Sequence, residues 1–92
     1  MTPQQLKAAQ DVLEPLFMIY RLQGYEVEWF DDDELGEGTI RIKDEDIYHT
    51  LYVFVDDKDY YNCEAGSVIT WSKLKRLPNQ VDHLVKQILG FV

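Results

Sequence analysis

Cysteine is almost missing from this chain. Cys63 stands alone in 92 residues, so no intrachain disulfide can form. A secreted domain of this size usually carries several bridges, which sets the expectation of a reducing compartment, the cytoplasm. Long apolar runs are missing too, and none approaches the ~20 residues of a membrane span. The opening Thr2-Pro3-Gln4-Gln5 lacks the basic start of a signal peptide, and Lys7, Gln10, Asp11 and Glu14 interrupt the apolar positions that follow. Positive charge is scarce: 9 Lys and Arg stand against 17 Asp and Glu, a formal charge of −8. Phosphate contacts need clustered bases, so direct binding to nucleic acid or an anionic membrane is not expected. No linker, internal repeat or low-complexity tract divides the sequence, and residues 1–92 read as one domain.

What is abundant is apolar and acidic. The composition is 46% hydrophobic and 28% charged, with six Tyr, four Phe and two Trp, which is globular and not disordered. Acidity is concentrated in the middle. From Tyr25 to Glu64 there are 14 acids against three bases, −11 in formal charge, while the flanks hold six bases and three acids, +3.

The N-terminal segment predicts a helix. Thr2-x-x-Gln5 fits a capping box, with Pro3 at the first helical position, where its missing N–H costs nothing. Leu6, Ala9, Leu13, Leu16, Phe17 and Tyr20 recur at helical spacing. Pro15 removes the hydrogen bond to the Asp11 carbonyl, so a kink or two short helices are expected there, with the end at Gln23-Gly24. Val12, Met18 and Ile19 widen the stripe and make the second half a candidate for burial on more than one side.

An antiparallel meander of three to four strands is expected next. Tyr25 to Phe30 alternates, with Tyr25, Val27 and Trp29 on one face and Glu26, Glu28 and Phe30 on the other. Asp31 to Gly38 reads as a turn, its two glycines permitting positive φ. Thr39 to Lys43 turns Ile40 and Ile42 inward. Asp44-Glu45-Asp46 makes the next turn. Tyr48 to Val55 is apolar on both faces: His49, Leu51, Val53 and Val55 on one, Tyr48, Thr50, Tyr52 and Phe54 on the other. Such a strand is central, or presents an exposed aromatic face. After the turn Asp56-Asp57-Lys58-Asp59, Tyr60 to Glu64 reads as a short fourth strand. Val68 to Trp71 is open between strand and loop, since its β-branched residues favour a strand but the segment is short. Pro78 and Asn79 open a last helix with Asn79 as its cap; Val81, Leu84, Val85, Ile88 and Leu89 form its stripe and Gly90 ends it. The expected class is α+β: a helix kinked near Pro15, the meander, and a C-terminal helix packed on one sheet face.

Alternate turns of a meander lie at the same end of the sheet. Asp31, Asp32, Asp33, Glu34, Glu37, Asp56, Asp57 and Asp59 should therefore gather at one edge. Two exposed like charges ~6 Å apart repel by roughly 0.7 kcal/mol in water, and a cation or basic surface would relieve this. Three uses are open: solvated turn residues, a dock for a basic protein surface, or a Ca²⁺ or Mg²⁺ site. The last lacks the calcium-loop pattern, because the position after Asp57 and Asp59 is Tyr61 and no glycine follows. Carboxylates along a rigid edge can also occupy a groove built for phosphates, as mimics of nucleic acid. In size and charge alone the chain resembles small acidic inhibitors of nucleic-acid-binding proteins, among them toxin-neutralising immunity proteins and phage-encoded inhibitors; no family motif accompanies the likeness. Tyr52 and Phe54, with Tyr48, would be aromatic anchors of such an interface, unless the chain's own helix or a sister subunit covers that face.

Catalytic signals are weak. His49 sits near a strand end on the Leu51 face, and His83 lies beside the last helical stripe. Cys63 has no base close in sequence. Ser67 and Ser72 lie in no nucleophile elbow, and no phosphate loop, dinucleotide fingerprint or zinc spacing occurs. Lys73, Lys75 and Arg76 are the single basic cluster, expected to pair with carboxylates or be solvated. The expected reading is a non-enzymatic acidic module without cofactor or metal. It is expected to bind a basic protein surface as an inhibitor or regulator, as monomer or homodimer. The alternative is a divalent-cation-binding or structural, oligomerising domain.

Overall fold

The computed structural model describes residues 1–32 and 34–90. Helix α1 (Pro3–Leu22) is followed by strands β1 (Glu26–Asp32), β2 (Glu37–Asp44), β3 (Ile47–Val55), β4 (Tyr61–Ala65) and β5 (Val68–Ser72). A single 3₁₀ turn (Leu74–Arg76) then leads into helix α2 (Leu77–Ile88). The five strands form one antiparallel sheet in the order β1-β2-β3-β4-β5, so each hairpin joins neighbours. The class is α+β, as the pattern of the sequence implies. No helix among the described residues is long and apolar enough to cross a membrane.

The capping box forms as its residues dictate: Thr2 Oγ1 accepts from the Gln5 N–H, and Gln5 Oε1 accepts from the Thr2 N–H. Across Pro15 the helix continues as one element of 20 residues, so the expected split into two short helices does not occur. Pro15 lies on the solvent side, where water can satisfy the carbonyl it orphans. Leu6, Ala9, Leu13, Phe17 and Tyr20 are buried, but Met18 is 55% and Ile19 52% exposed. The second half of α1 is therefore buried on one side only.

Both helices cover the same face of the sheet. That face presents Val27, Ile40, Ile42, Leu51, Val53 and Cys63, each no more than 4% exposed, against Leu13, Phe17, Leu77, Leu84 and Val85. The start of α2 departs from expectation. Asn79 is not its cap: the helix begins at Leu77, which is fully buried, and Arg76 at the cap position makes no side-chain cap bond. The preceding 3₁₀ turn supplies a backbone entry instead, and Pro78 falls in the first turn. Gly90 takes φ 77° beyond the last turn, as a terminating glycine does.

The first turn is tighter than the sequence suggests. β1 and β2 pair as far as Asp31↔Gly38 and Asp32↔Glu37, so these residues belong to strands. Gly36 has φ 65°, but Gly38 is needed for room. A Cβ there would stand 2.2 Å from the Trp29 ring, which lies across the inner surface of the hairpin. The segment left open, Val68 to Trp71, is strand β5, extended to Ser72.

Candidate functional site

Strand direction fixes the poles of the molecule. The β1–β2 and β3–β4 turns share one end; the β2–β3 and β4–β5 turns share the other. The two acidic turns are thus at the same pole, their centres two strand spacings, ~10 Å, apart. At that distance unit charges repel by only about 0.4 kcal/mol in water, and salt reduces it further. Repulsion between the turns is weaker than the ~6 Å spacing implies.

The acids of this pole divide into two groups. Three are engaged in building it. Asp31 accepts from Trp29 Nε1 at 2.5 Å. Asp32 Oδ1 caps the turn by accepting from the N–H groups of Glu34 and Leu35, both at 3.1 Å. Asp56 accepts from the N–H groups of Lys58 and Tyr60 and, through Oδ2, from Asn62 Nδ2 at 3.0 Å. Those bonds, the Asn62 bond first, hold the Asp56 carboxyl below its usual pKa. The second group is Glu34, Glu37, Asp57 and Asp59, whose side chains enter no hydrogen bond or ion pair of the described residues. Glu34, Asp57 and Asp59 are exposed, and Asp59 takes φ 63°. Asp33 lies outside the described residues.

Bases share this end. Lys58 is in the second turn, and the Met1 ammonium donates to the Gly36 carbonyl at 2.9 Å. The Lys73, Lys75, Arg76 cluster follows β5 at the same pole. Lys73 Nζ lies 5.8 Å from the Tyr60 ring centre, and Lys75 and Arg76 are exposed. The pole is graded, acidic over β1 to β4 and basic beyond β5.

Among the described residues, no helix covers the outer face of the sheet. Register carries one row across all five strands: Phe30, Thr39, Tyr52, Glu64, Ile69. The next row toward the acidic pole runs Phe54, Asn62, Trp71. Trp71 is 62%, Tyr52 42% and Phe30 40% exposed, while Phe54 is half-buried. Asn62, bonded to Asp56, ties this row to the second acidic turn. The upper aromatic row therefore runs up to the second acidic turn. Lower on the face Arg41 lies over the rings of Phe30 and Tyr48, at 5.0 and 5.8 Å, and Lys43 over Tyr48 at 5.4 Å. Bases of the sheet thus occupy Phe30 and Tyr48 and leave Tyr52 and Trp71 open.

Tyr52 and Phe54 stand where strand alternation puts them. Phe30, Glu64 and Trp71 join the surface without having been singled out. Phe30 was legible from its place opposite Val27 and Trp29. Trp71 required β5 to be a strand, and the pattern of β5 is inverted: Ile69 and Trp71 face outward, while Thr70 and Ser72 face the core with buried hydroxyls that find no partner among the described residues.

The groups weighed for chemistry are dispersed. Cys63 is fully buried, and burial pushes its thiol up to about 12, so the thiolate is disfavoured at neutral pH. His49 is half-buried on the inner side near a strand end. His83 is exposed on α2, its Nε2 3.0 Å from Gln87 Nε2. Among the described residues no three His, Cys, Asp or Glu side chains converge to hold a metal. Comparison with protein-family models, curated proteins and solved structures finds no match.

Proposed function

We propose that this is a protein-binding module that docks on a basic protein surface through its acidic pole and the aromatic rows beside it, as an inhibitor or regulator. The observation that carries this reading is register: the outer-face row Phe54, Asn62, Trp71 lies next to the turn that holds Asp57 and Asp59, Tyr52 and Glu64 stand one row below it, and Glu37 shares the outer face two residues along β2 from Thr39. Exposed aromatics anchor interfaces by burying area at low entropic cost, and surrounding carboxylates steer a cationic partner. Arg side chains suit both parts, since a guanidinium stacks on a ring and pairs with a carboxylate at once. A surface built for phosphates offers such side chains, so occupation of a nucleic-acid-binding groove is the form the proposal takes. The basic cluster beyond β5 sets the orientation, since like charge would repel the partner on that side.

The test begins with capture of binding proteins from the native host at low salt. Association should slow steeply as salt rises, and Trp71→Ala should weaken binding at least about tenfold without loss of fold. Binding indifferent both to salt and to Trp71→Ala would refute the proposal.

A further inference from the structure

The net charge of −8 lies wholly outside the helices. Helix α1 carries Lys7 and Arg21 against Asp11 and Glu14, and α2 carries Lys86 against Asp82, so the helical layer is formally neutral. These charges are also paired on the spot: Lys7–Asp11 at 3.0 Å, Arg21–Glu14 at 2.6 Å and Lys86–Asp82 at 2.9 Å. Asp82 is further held by Tyr20, whose hydroxyl donates to it at 2.6 Å. Burial would raise the Asp82 carboxyl, but the bonds from Lys86 and Tyr20 outweigh it and keep the carboxyl low.

Along the outside of α1 runs a second apolar stripe, Pro15, Met18, Ile19 and Leu22, at helical spacing. Leu22 is 87% exposed, Met18 55% and Ile19 52%. Grooves flank this ridge on both sides. One lies between Glu14, Met18, Arg21 and Leu22; the other is bounded by Leu16, Ile19, Tyr20 and Asp82. The ridge is far from the acidic pole, because α1 starts where Met1 meets Gly36 and runs ~30 Å to its end.

We infer that this ridge is the interface of a symmetric homodimer, α1 packing antiparallel on its copy. The occupant is a second copy because the face complements itself. A ridge between two grooves seats into the grooves of an identical helix. In the antiparallel pairing with Met18 opposite Ile19, Arg21 of each chain comes beside Glu14 of the other, so both charges keep an opposite neighbour. Two molecules of −8 repel overall, and the repulsion is reduced where an uncharged face leads, as the helical layer does. Four side chains and their grooves cover less than the ~800 Å² per partner of a standard interface, so the dimer is weak, populated at micromolar and higher concentration. Both acidic poles stay free, which makes the dimer bivalent.

Sedimentation equilibrium of the whole chain over a range of concentrations tests this. A monomer–dimer equilibrium is expected, with Met18→Glu and Leu22→Glu each weakening association at least about tenfold while circular dichroism stays that of the folded protein. Glu14→Arg and Arg21→Glu should each be monomeric alone and form a heterodimer when mixed, a result that requires the two charges to meet across the interface. A single monomeric species for the parent chain at about 1 mM would overturn the inference. So would a dimer unaffected by the Leu22 and Met18 variants, which would place the contact elsewhere. A monomer whose α1 ridge instead takes up an added amphipathic peptide would equally overturn it, assigning the ridge to a different protein.

Discussion

The two faces of the sheet begin from similar sequence and end differently. Strand β3 is apolar on both: Leu51 and Val53 on one side are fully buried, while Tyr52 between them is 42% exposed. What separates the faces is which one the helices take, and that follows from small differences in chemistry. The centre of the inner face, Val27, Ile40, Ile42, Leu51 and Val53, carries aliphatic side chains without polar atoms, which pack densely under helices, and the polar atoms of that face, at Trp29, His49, Thr70 and Ser72, are few. The outer face carries Tyr hydroxyls, an indole N–H and the Glu26, Glu28, Arg41, Lys43 and Glu64 charges, all of which would need partners under a cover. Apolar weight alone does not decide burial; the polar atoms attached to it do.

The largest effect to expect concerns that pair of neighbours. Leu51→Ala removes a fully buried side chain and should cost about 2–5 kcal/mol in chemical denaturation. Tyr52→Ala, on the other side of the same strand, should cost under about 1 kcal/mol. Equal costs would mean that the outer face is as much a part of the core as the inner one. Gly38→Ala comes next. Its Cβ would meet the Trp29 ring at 2.2 Å, so a loss of about 1–3 kcal/mol is expected. Trp29→Leu should return part of that loss in the double variant, and strict additivity would deny the contact.

Asp56→Ala should lower the melting temperature more than Asp57→Ala, because only Asp56 holds Lys58, Tyr60 and Asn62. Its carboxyl is depressed in the folded state, so its contribution is present above the unfolded carboxylate pKa of about 3.9 and is lost as pH falls through the lower folded value. The gap between parent and Asp56→Ala should therefore close on acidification below about pH 4; a constant gap would mean that the charge plays no part. The smallest effect is at Arg41. Removing its contacts with Phe30 and Tyr48 by Arg41→Ala should cost about 0.5–1 kcal/mol. A null result would leave the lower outer face open like the upper one.

Much of the fold is written locally in the chain. Thr2, Pro3 and Gln5 set the start of α1, and alternation in β1 to β3 sets the meander, which in turn sets the common pole of the acidic turns. The elements that stayed hidden depend on neighbours far along the chain. β5 turns Ile69 and Trp71 outward and hydroxyls inward, so no period-two rule assigns its core face; it is a strand because β4 offers an edge to pair with. The start of α2 is set by burial of Leu77, not by the cap-forming Asn79. The acids that shape the pole and those that stay open share one side-chain chemistry. Only the turn geometry tells Asp32 and Asp56 apart from Asp57 and Asp59.

That division gives the most direct measurement. Glu34→Gln, Glu37→Gln, Asp57→Asn and Asp59→Asn combined neutralise the open acids and leave the turn-building bonds of Asp31, Asp32 and Asp56 in place. Association with the captured basic partner should slow at least about tenfold at low salt, with a flattened salt dependence and no loss of stability. Association as fast as the parent's, with the same salt dependence, would contradict docking through the acidic pole.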